Sequence, residues 1–307
     1  MSAAKFDAVL MVGFGGPTQP EQIRPFLAHV LKGRPVPPQR IEEVAHHYEV
    51  IGGRSPFNAL TDKQRSALQQ LLAARGFELP VRAGMWHAEP FCHDVLRGLV
   101  ERGARKLVVV ITAAFYDRAT VQRYSAVVEE ARVALNVPDL TITYIRSPEL
   151  HPGFCSANAA RIRAALAAVP EGARLMFTAH SVPTAVGASS GYVASFEGAA
   201  ARIAAAVGVN DYRCVYQSRS GGPNDSWLEP DVCAALRTEA ASGTRAVVLA
   251  PIGFVCDHVE VLYDLDVEAA ALAEALGIQL ARAGTVGDHP DYIAALADQI
   301  LSAEPSL

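Results

Sequence analysis

Short apolar runs recur along this chain, each followed by a longer stretch whose apolar residues return at helical spacing. Ala8–Val12, Val81–Met85, Lys106–Ile111, Leu140–Ile145, Leu175–Ala179, Tyr212–Gln217, Ala246–Leu249 and Gln279–Ala283 read as strands. Helices are predicted over Gln22–Leu31 and Ile41–Ile51, from Thr61 as a natural N-cap, after Pro90, from about Thr120, after Pro152, near Tyr192–Val207, from Asp231 and from Pro290. Repeated strand–helix units imply parallel sheets covered on both faces by helices. Four strands fall on each side of a break near residue 147. The expected fold is therefore α/β: two similar doubly wound, Rossmann-like parallel-sheet domains, 1–147 and 148–307. The last helix is expected to pack back on the first domain, and a ligand cleft is expected between the domains at the carboxyl ends of the strands.

The period changes most sharply within Val248–Glu268. An apolar strand breaks at Pro251 and Gly253, and from Asp257 onward Val259, Leu262, Tyr263 and Val267 recur at helical spacing. Glu260, Asp264 and Glu268 form an i, i+4, i+8 series, which on an α-helix drifts about 40° and climbs about 6 Å per step. With Val259 and Tyr263 toward the core, Glu260 falls at the edge of the buried face, Asp264 further round, and Glu268 in water. Such a row of hard oxygen donors suits a divalent cation being handed inward. A plainer reading exists. Asp257-x-x-Glu260 has the form of a capping box, and Asp264, Asp266 and Glu268 would then be an ordinary solvated face. Taken alone, the segment favours the plainer reading.

Composition narrows the classes. The chain has 307 residues, 50% of them hydrophobic and 19% charged, with a net charge of −5, which is an ordinary globular composition. No basic block is present, so nucleic acid is not an expected partner. No apolar run is long enough to span a bilayer. The N-terminal M-S-A-A-K-F-D has no signal-peptide core, so a cytoplasmic location is expected. Cys92, Cys155, Cys214, Cys233 and Cys256 are odd in number, scattered and without a C-x-x-C pair, which argues against a disulfide framework or zinc ribbon. The glycines of Gly13–Thr18 do not meet the G-x-G-x-x-G fingerprint, and a tight strand-to-helix turn is the better reading.

At the strand ends stand Gly13–Pro17, Trp86–Phe91, Thr178–Pro183 and Tyr216–Asp231. His180 closes an apolar strand and is followed by turn-forming residues. A lone histidine is usually structural, but the carboxyl end of a strand in an open α/β sheet is where such folds bind ligands.

Three segments, F-T-A-H-S-V-P (Phe177–Pro183), Y-Q-S-R-S-G-G-P-N-D-S-W-L-E-P-D (Tyr216–Asp231) and P-I-G-F-V-C-D-H-V-E-V-L-Y-D-L-D-V-E (Pro251–Glu268), resemble the signature of the ferrochelatases, in order and at suitable spacing. Tyr48–Phe57 and Gly84–Phe91 resemble the N-terminal half of the same family, so the likeness covers nearly the whole chain. The layout is that of a class II-type single-chain enzyme, most like the soluble coproporphyrin ferrochelatases. The resemblance implies insertion of ferrous iron into a porphyrin bent out of plane in the interdomain cleft, as a step of haem biosynthesis. By the same resemblance His180 and Glu260 are the catalytic pair facing each other across the porphyrin. Which of them takes the pyrrole protons and which meets the iron stays open. Asp264 and Glu268 match the outer carboxylates of a metal path, so that the metal set is His180, Glu260, Asp264 and Glu268. This shifts the balance from the capping box to the ladder.

The resemblance places Phe14, His47, Ile51, His87, Tyr124 and Trp227 around the porphyrin, with Lys32, Arg34 and Ser55 near the mouth where propionates emerge. Three positions depart from the pattern. Phe14 stands where relatives of that branch carry an iron-ligating tyrosine, His47 where an arginine is common, and Glu229 where the W-L-x-P-D stretch has glycine. The chain ends at Leu307 without the cysteine-bearing extension of many relatives, so no iron–sulfur cluster and no permanent cofactor is expected. A monomer is expected, meeting the haem-accepting enzyme only transiently. The span Leu31–His47 is short, basic and proline-rich, where membrane-associated relatives carry an apolar lip. That favours coproporphyrin III, with four propionates, over protoporphyrin IX. The rival readings are a cobalt or nickel chelatase for another tetrapyrrole, a non-catalytic haem- or metal-binding protein on the same fold, and, more distantly, a nucleotide-binding protein built on Gly13–Pro17.

Overall fold

The structure, a computed structural model, describes residues 5–33, 36–220 and 225–305. It contains eight strands, β1 (Ala8–Gly13), β2 (Val81–Met85), β3 (Lys106–Ile111), β4 (Thr141–Tyr144), β5 (Arg174–His180), β6 (Tyr212–Gln217), β7 (Ala246–Ala250) and β8 (Gln279–Arg282). They form two four-stranded parallel sheets of matching order, β2-β1-β3-β4 and β6-β5-β7-β8. Every residue of β1 and β7 is buried. Parallel strands covered on both faces need apolar side chains in both directions, which is why their sequences read as unbroken apolar runs.

In each sheet the chain leaves a central strand, visits the neighbour on one side, and returns to the other side. The carboxyl ends of β1 and β3, and of β5 and β7, therefore flank switch points where a ligand crevice opens. His180 is the last residue of β5, and the acidic segment follows β7, so the topology brings both to the same crevice.

Three helices fill the long connection from β1 to β2: α1 (Ile23–Val30), α2 (Pro38–Val50) and α3 (Phe57–Ala74). Helices α4 (Cys92–Glu101) and α5 (Arg118–Ala134) complete the first half. The second has α6 (Pro152–Leu166), α7 (Thr184–Ser190), α8 (Tyr192–Val207), α9 (Val232–Ala241), α10 (Val259–Tyr263), α11 (Ala270–Ala275) and α12 (Pro290–Ser302). Thr61 does not cap α3. The helix starts four residues earlier at Phe57, and Thr61 is fully buried one turn inside it, near the thiol of Cys256. Its hydroxyl had suggested a helix end that burial does not require.

The largest apolar cluster runs unbroken between the halves, from Met11, Phe57, Leu68 and Phe115 to Phe154, Phe177, Phe196 and Tyr292. Helix α12 packs against α3 as well as α6. The two sheets thus share one core, and each fully buried large side chain in it contributes on the order of 1.5–3 kcal/mol. Among the described residues no helix is long and apolar enough to cross a membrane.

The turn after β1 is closed by the protein's own side chains, and its Gly16 N–H already donates to Asn58 Oδ1 at 3.0 Å. A Cβ at Gly13 would lie 2.8 Å from the Phe57 ring, and one at Gly16 would lie 2.6 Å from Ser55 Cβ. These glycines let the start of α3 close against the strand end, so the nucleotide reading loses its cradle.

Candidate active site

A close approach between strand end and loop builds the site. Gly253, just past β7, lies against the end of strand β5, and a Cβ there would come 2.7 Å from both Cα and Cβ of Ala179. This brings the start of α10 up to His180. The α10 segment does not continue as a regular helix. It passes through one π-helical turn, Asp264–Ala269, before α11. The wider i→i+5 turn advances less per residue than an α-helix, so residues four apart no longer overshoot by 40°. Two parallel rows result. Val261, Leu265, Ala269 and Ala273, four residues apart throughout, are all fully buried. Glu260, Asp264 and Glu268 run beside them, the first two half-buried and Glu268 exposed.

This corrects the expected helix face. Val259 and Tyr263 do not point into the core below the sheet. Val259 packs into the cluster of Ile23, Phe26, Leu27, Ala45 and Tyr48, and Tyr263 stacks on His47 of α2 with ring centroids 3.6 Å apart and planes inclined by 10°. The capping box does not form either. His258 is the N-cap residue and its side chain makes no cap bond. Asp257 is held by Arg282 and Thr285, and Glu260 turns to two histidines.

His180 Nε2 lies 3.1 Å from Glu260 Oε1, and His258 Nε2 lies 3.4 Å from Glu260 Oε2. The Nδ1 of His180 is held by the Ser181 carbonyl, which leaves Nε2 for the cleft. The backbone is braced too: the Tyr192 hydroxyl donates to the His180 carbonyl at 2.9 Å. Gln217, buried at the end of β6, donates to the Glu260 carbonyl at 2.7 Å while its Oε1 accepts from the Thr178 hydroxyl at 2.7 Å. Ser218, at a positive φ of 63°, donates its hydroxyl to Asp264.

The electrostatics follow from this geometry. Burial alone would lower the His180 pKa, but the Glu260 charge and hydrogen bond more than offset it and raise it to about 9. Burial likewise opposes ionisation of Glu260, yet His180 and then His258 hold it well below the usual carboxylate range. The resting pair is imidazolium and carboxylate. Burial, then the Glu260 and Glu268 charges, push Asp264 up to about 7 against the pull of the Ser218 hydroxyl. Among the described residues no three His, Cys, Asp or Glu side chains form a ready-made metal cage, and the row presents its donors in sequence.

The other expected site residues fall into groups. Phe14 and His87 meet at 4.6 Å, His87 stacks on Trp86 at 4.4 Å, and Tyr124 stands edge-on to Trp86 at 5.9 Å. Burial pushes the Tyr124 hydroxyl far above its usual pKa, so it stays a neutral donor. Ile51 packs with Phe14 on the cluster of α1 and α2. Trp227 lies on the loop between β6 and α9, bridged to Pro183, and its Nε1–H has no partner among the described residues. Lys32 is exposed just past α1. Ser55 is 6% exposed, tucked beneath Gly16, and its hydroxyl accepts from the Phe57 N–H at 3.3 Å. Arg34 lies outside the described residues. Sequence reasoning missed His258, Gln217, Ser218 and Tyr192. Only His258 carried a local signal, being two residues before Glu260 in D-H-V-E. The others act through partners distant in the chain.

Comparison with known proteins agrees with this geometry. Residues 6–304 match the Ferrochelatase family model. The coproporphyrin III ferrochelatase of Mycolicibacterium paratuberculosis is 44% identical over 298 residues, covering 96% of this chain and 87% of that one. The coproporphyrin III ferrochelatase of Streptomyces griseus is 41% identical, covering 97% and 85%. Among solved structures, the cobalt-bound sirohydrochlorin chelatase SirB of Bacillus subtilis subspecies spizizenii aligns with a TM-score of 0.56 at 15% identity, over 95% of this chain and 93% of that one. That likeness speaks to the fold alone. A family match that runs through both sheets, the shared core and the acidic helix leaves one conclusion: this chain belongs to the ferrochelatase family.

Proposed function

We propose that this enzyme inserts ferrous iron into coproporphyrin III during haem biosynthesis, releasing the two pyrrole protons. The observation that carries the reading is the His180–Glu260 pair at the inner end of the Glu260–Asp264–Glu268 row. In the resting site the imidazolium occupies the place beside Glu260 that a cation would take. Iron passed from Glu268 through Asp264 to Glu260 repels that proton into the water of the cleft, and the neutral His180 then accepts the two pyrrole protons in turn, giving the first to water before it takes the second. His258 on the other oxygen keeps Glu260 ionised throughout.

The porphyrin lies between the acidic helix and the aromatic group of Phe14, His87 and Tyr124, with Ile51, His47 and Trp227 bounding the slot and Ser55 supporting its floor. Lys32 and Arg34 serve propionates at the rim. The coproporphyrin assignment is supported by the names of the relatives, by the exposed Lys32 just past α1, and by the basic, proline-rich sequence of Leu31–His47 where an apolar lip would suit two vinyl groups. The enzyme works as a cytoplasmic monomer without a resident cofactor and passes its product to the next enzyme by transient contact. The test is anaerobic turnover with ferrous iron and each porphyrin, read by the visible spectrum. Higher kcat/KM for coproporphyrin III is expected. A clear preference for protoporphyrin IX overturns the substrate assignment, and faster cobalt or nickel insertion into another tetrapyrrole overturns the metal.

A further inference from the structure

The acidic segment carries five carboxylates between Asp257 and Glu268, and the structure sorts them into two sets. Asp257 and Asp266 share one partner, Arg282, the last residue of β8. Its Nη1 and Nη2 reach Asp257 at 3.3 and 3.1 Å, and its Nε and Nη2 reach Asp266 at 2.6 and 2.9 Å. The Thr285 hydroxyl adds a bond to Asp257 at 3.0 Å. The arginine side chain is only 16% exposed, and its backbone is fixed by pairing with Leu249 of β7. Glu260, Asp264 and Glu268 pair with no lysine or arginine among the described residues. The partners of Glu260 are two histidines, that of Asp264 is a serine hydroxyl, and Glu268 is exposed.

We infer that Arg282 is the positioning residue of the metal path. One guanidinium grips the loop before α10 and the middle of the π turn, nine residues apart, and so fixes the rotation of the segment between them. Two bidentate contacts hold that rotation better than any single lysine charge would. The same grip occupies both carboxylates that could divert a cation away from the row. Along the segment, a divalent ion then meets carboxylates without an arginine or lysine ion pair, among the described residues, at Glu268, Asp264 and Glu260. The inference rests on reading that row as the iron path.

The test measures KM for ferrous iron and kcat separately at saturating porphyrin, together with cobalt(II) binding followed by its visible absorption. Asp266→Asn releases one arm of Arg282 without touching the row. It should raise the iron KM at least about threefold with kcat and the porphyrin KM little changed. Arg282→Met should raise it further and add a cobalt site that vanishes when Asp257→Asn and Asp266→Asn are combined with it. Arg282→Lys should fall between. An Asp266→Asn enzyme with unchanged iron KM overturns the inference, as does a folded Arg282→Met enzyme that loses melting temperature but binds no additional cobalt. Failure of the path reading looks different: Asp264→Asn and Glu268→Gln would then leave the iron KM unaltered.

Discussion

His180 Nε2 and Glu260 Oε1 meet at 3.1 Å across 80 residues of sequence, one at a strand end and the other in the first turn of a short helix. Neither element sets that distance by itself. Gly253 permits the approach, Gln217 ties the helix start to the strand, and the Ser181 carbonyl orients the ring.

His180→Ala should reduce iron insertion at least about 10²-fold, the usual worth of a positioned acid–base group. Porphyrin binding, measured by fluorescence quenching, should persist because the slot is built by other side chains. Turnover above about a tenth of wild type would remove His180 from the chemistry.

Glu260→Gln should be as severe, since the carboxylate faces both histidines. Glu268→Gln, at the exposed end of the row, should be milder and act mainly on the iron KM. Steady-state kinetics of the two variants check this, and a worse defect in Glu268→Gln would reverse the inward order.

Asp264 should impose a pH dependence. Its pKa of about 7 means that at pH 6 an incoming cation must displace a proton, so the iron KM should rise about fivefold between pH 7 and pH 6. Asp264→Asn should flatten that profile while raising KM overall. Stability carries the opposite sign. The native carboxyl binds its proton more tightly than the unfolded one at 3.8, so stability falls as pH rises from about 4 to about 7. The melting temperature of Asp264→Asn relative to wild type should therefore gain more at pH 8 than at pH 5.

Gly253→Ala should cost about 1–3 kcal/mol, the usual penalty for overpacking, because its Cβ would meet backbone and not a movable side chain. It should also lower kcat by prising the loop from β5. Thermal melts and kinetics on one preparation test both. A variant as stable and active as wild type would show that the strand end yields.

Anaerobically purified protein should contain no stoichiometric acid-labile sulfide. Cys92 and Cys256 are buried in different apolar clusters, and among the described residues no three cysteine, histidine or carboxylate side chains come together. Stoichiometric iron and sulfide would overturn the expectation.

All eight strands were legible: doubly covered central strands must be apolar on both sides and leave unbroken runs such as Ala8–Val12 and Ala246–Leu249, while the edge strand Tyr212–Gln217 keeps an exposed Arg213 and still reads as a strand by its neighbours. The ladder was legible as spacing, but its helix face was not. Val259 and Tyr263 look like core residues until α2 is in place to receive them, and the π turn between Asp264 and Glu268 has no signature at four-residue spacing. Asp257 looked like half of a capping box because its true partner, Arg282, is 25 residues away. Thr61 looked like a helix end because hydroxyls at caps and hydroxyls in cores share one letter. Local patterns register what a residue does within a turn or two of itself, and this site is assembled almost entirely from longer reaches.

The π turn also bears on how the gene can change in length. A π turn holds one more residue than the α-helical turn it replaces. Deleting one residue within Asp264–Ala269 would let the segment close to an ordinary α-helix with both of its ends still facing as they do now. Val261 and Ala273 would stay in the core, and Glu260 would stay beside His180. The loss would fall inside the segment: a deletion between Asp264 and Glu268 leaves them three apart on an α-helix, about 60° round from one another. A shortened gene would therefore keep its fold and break the order of its outer carboxylates.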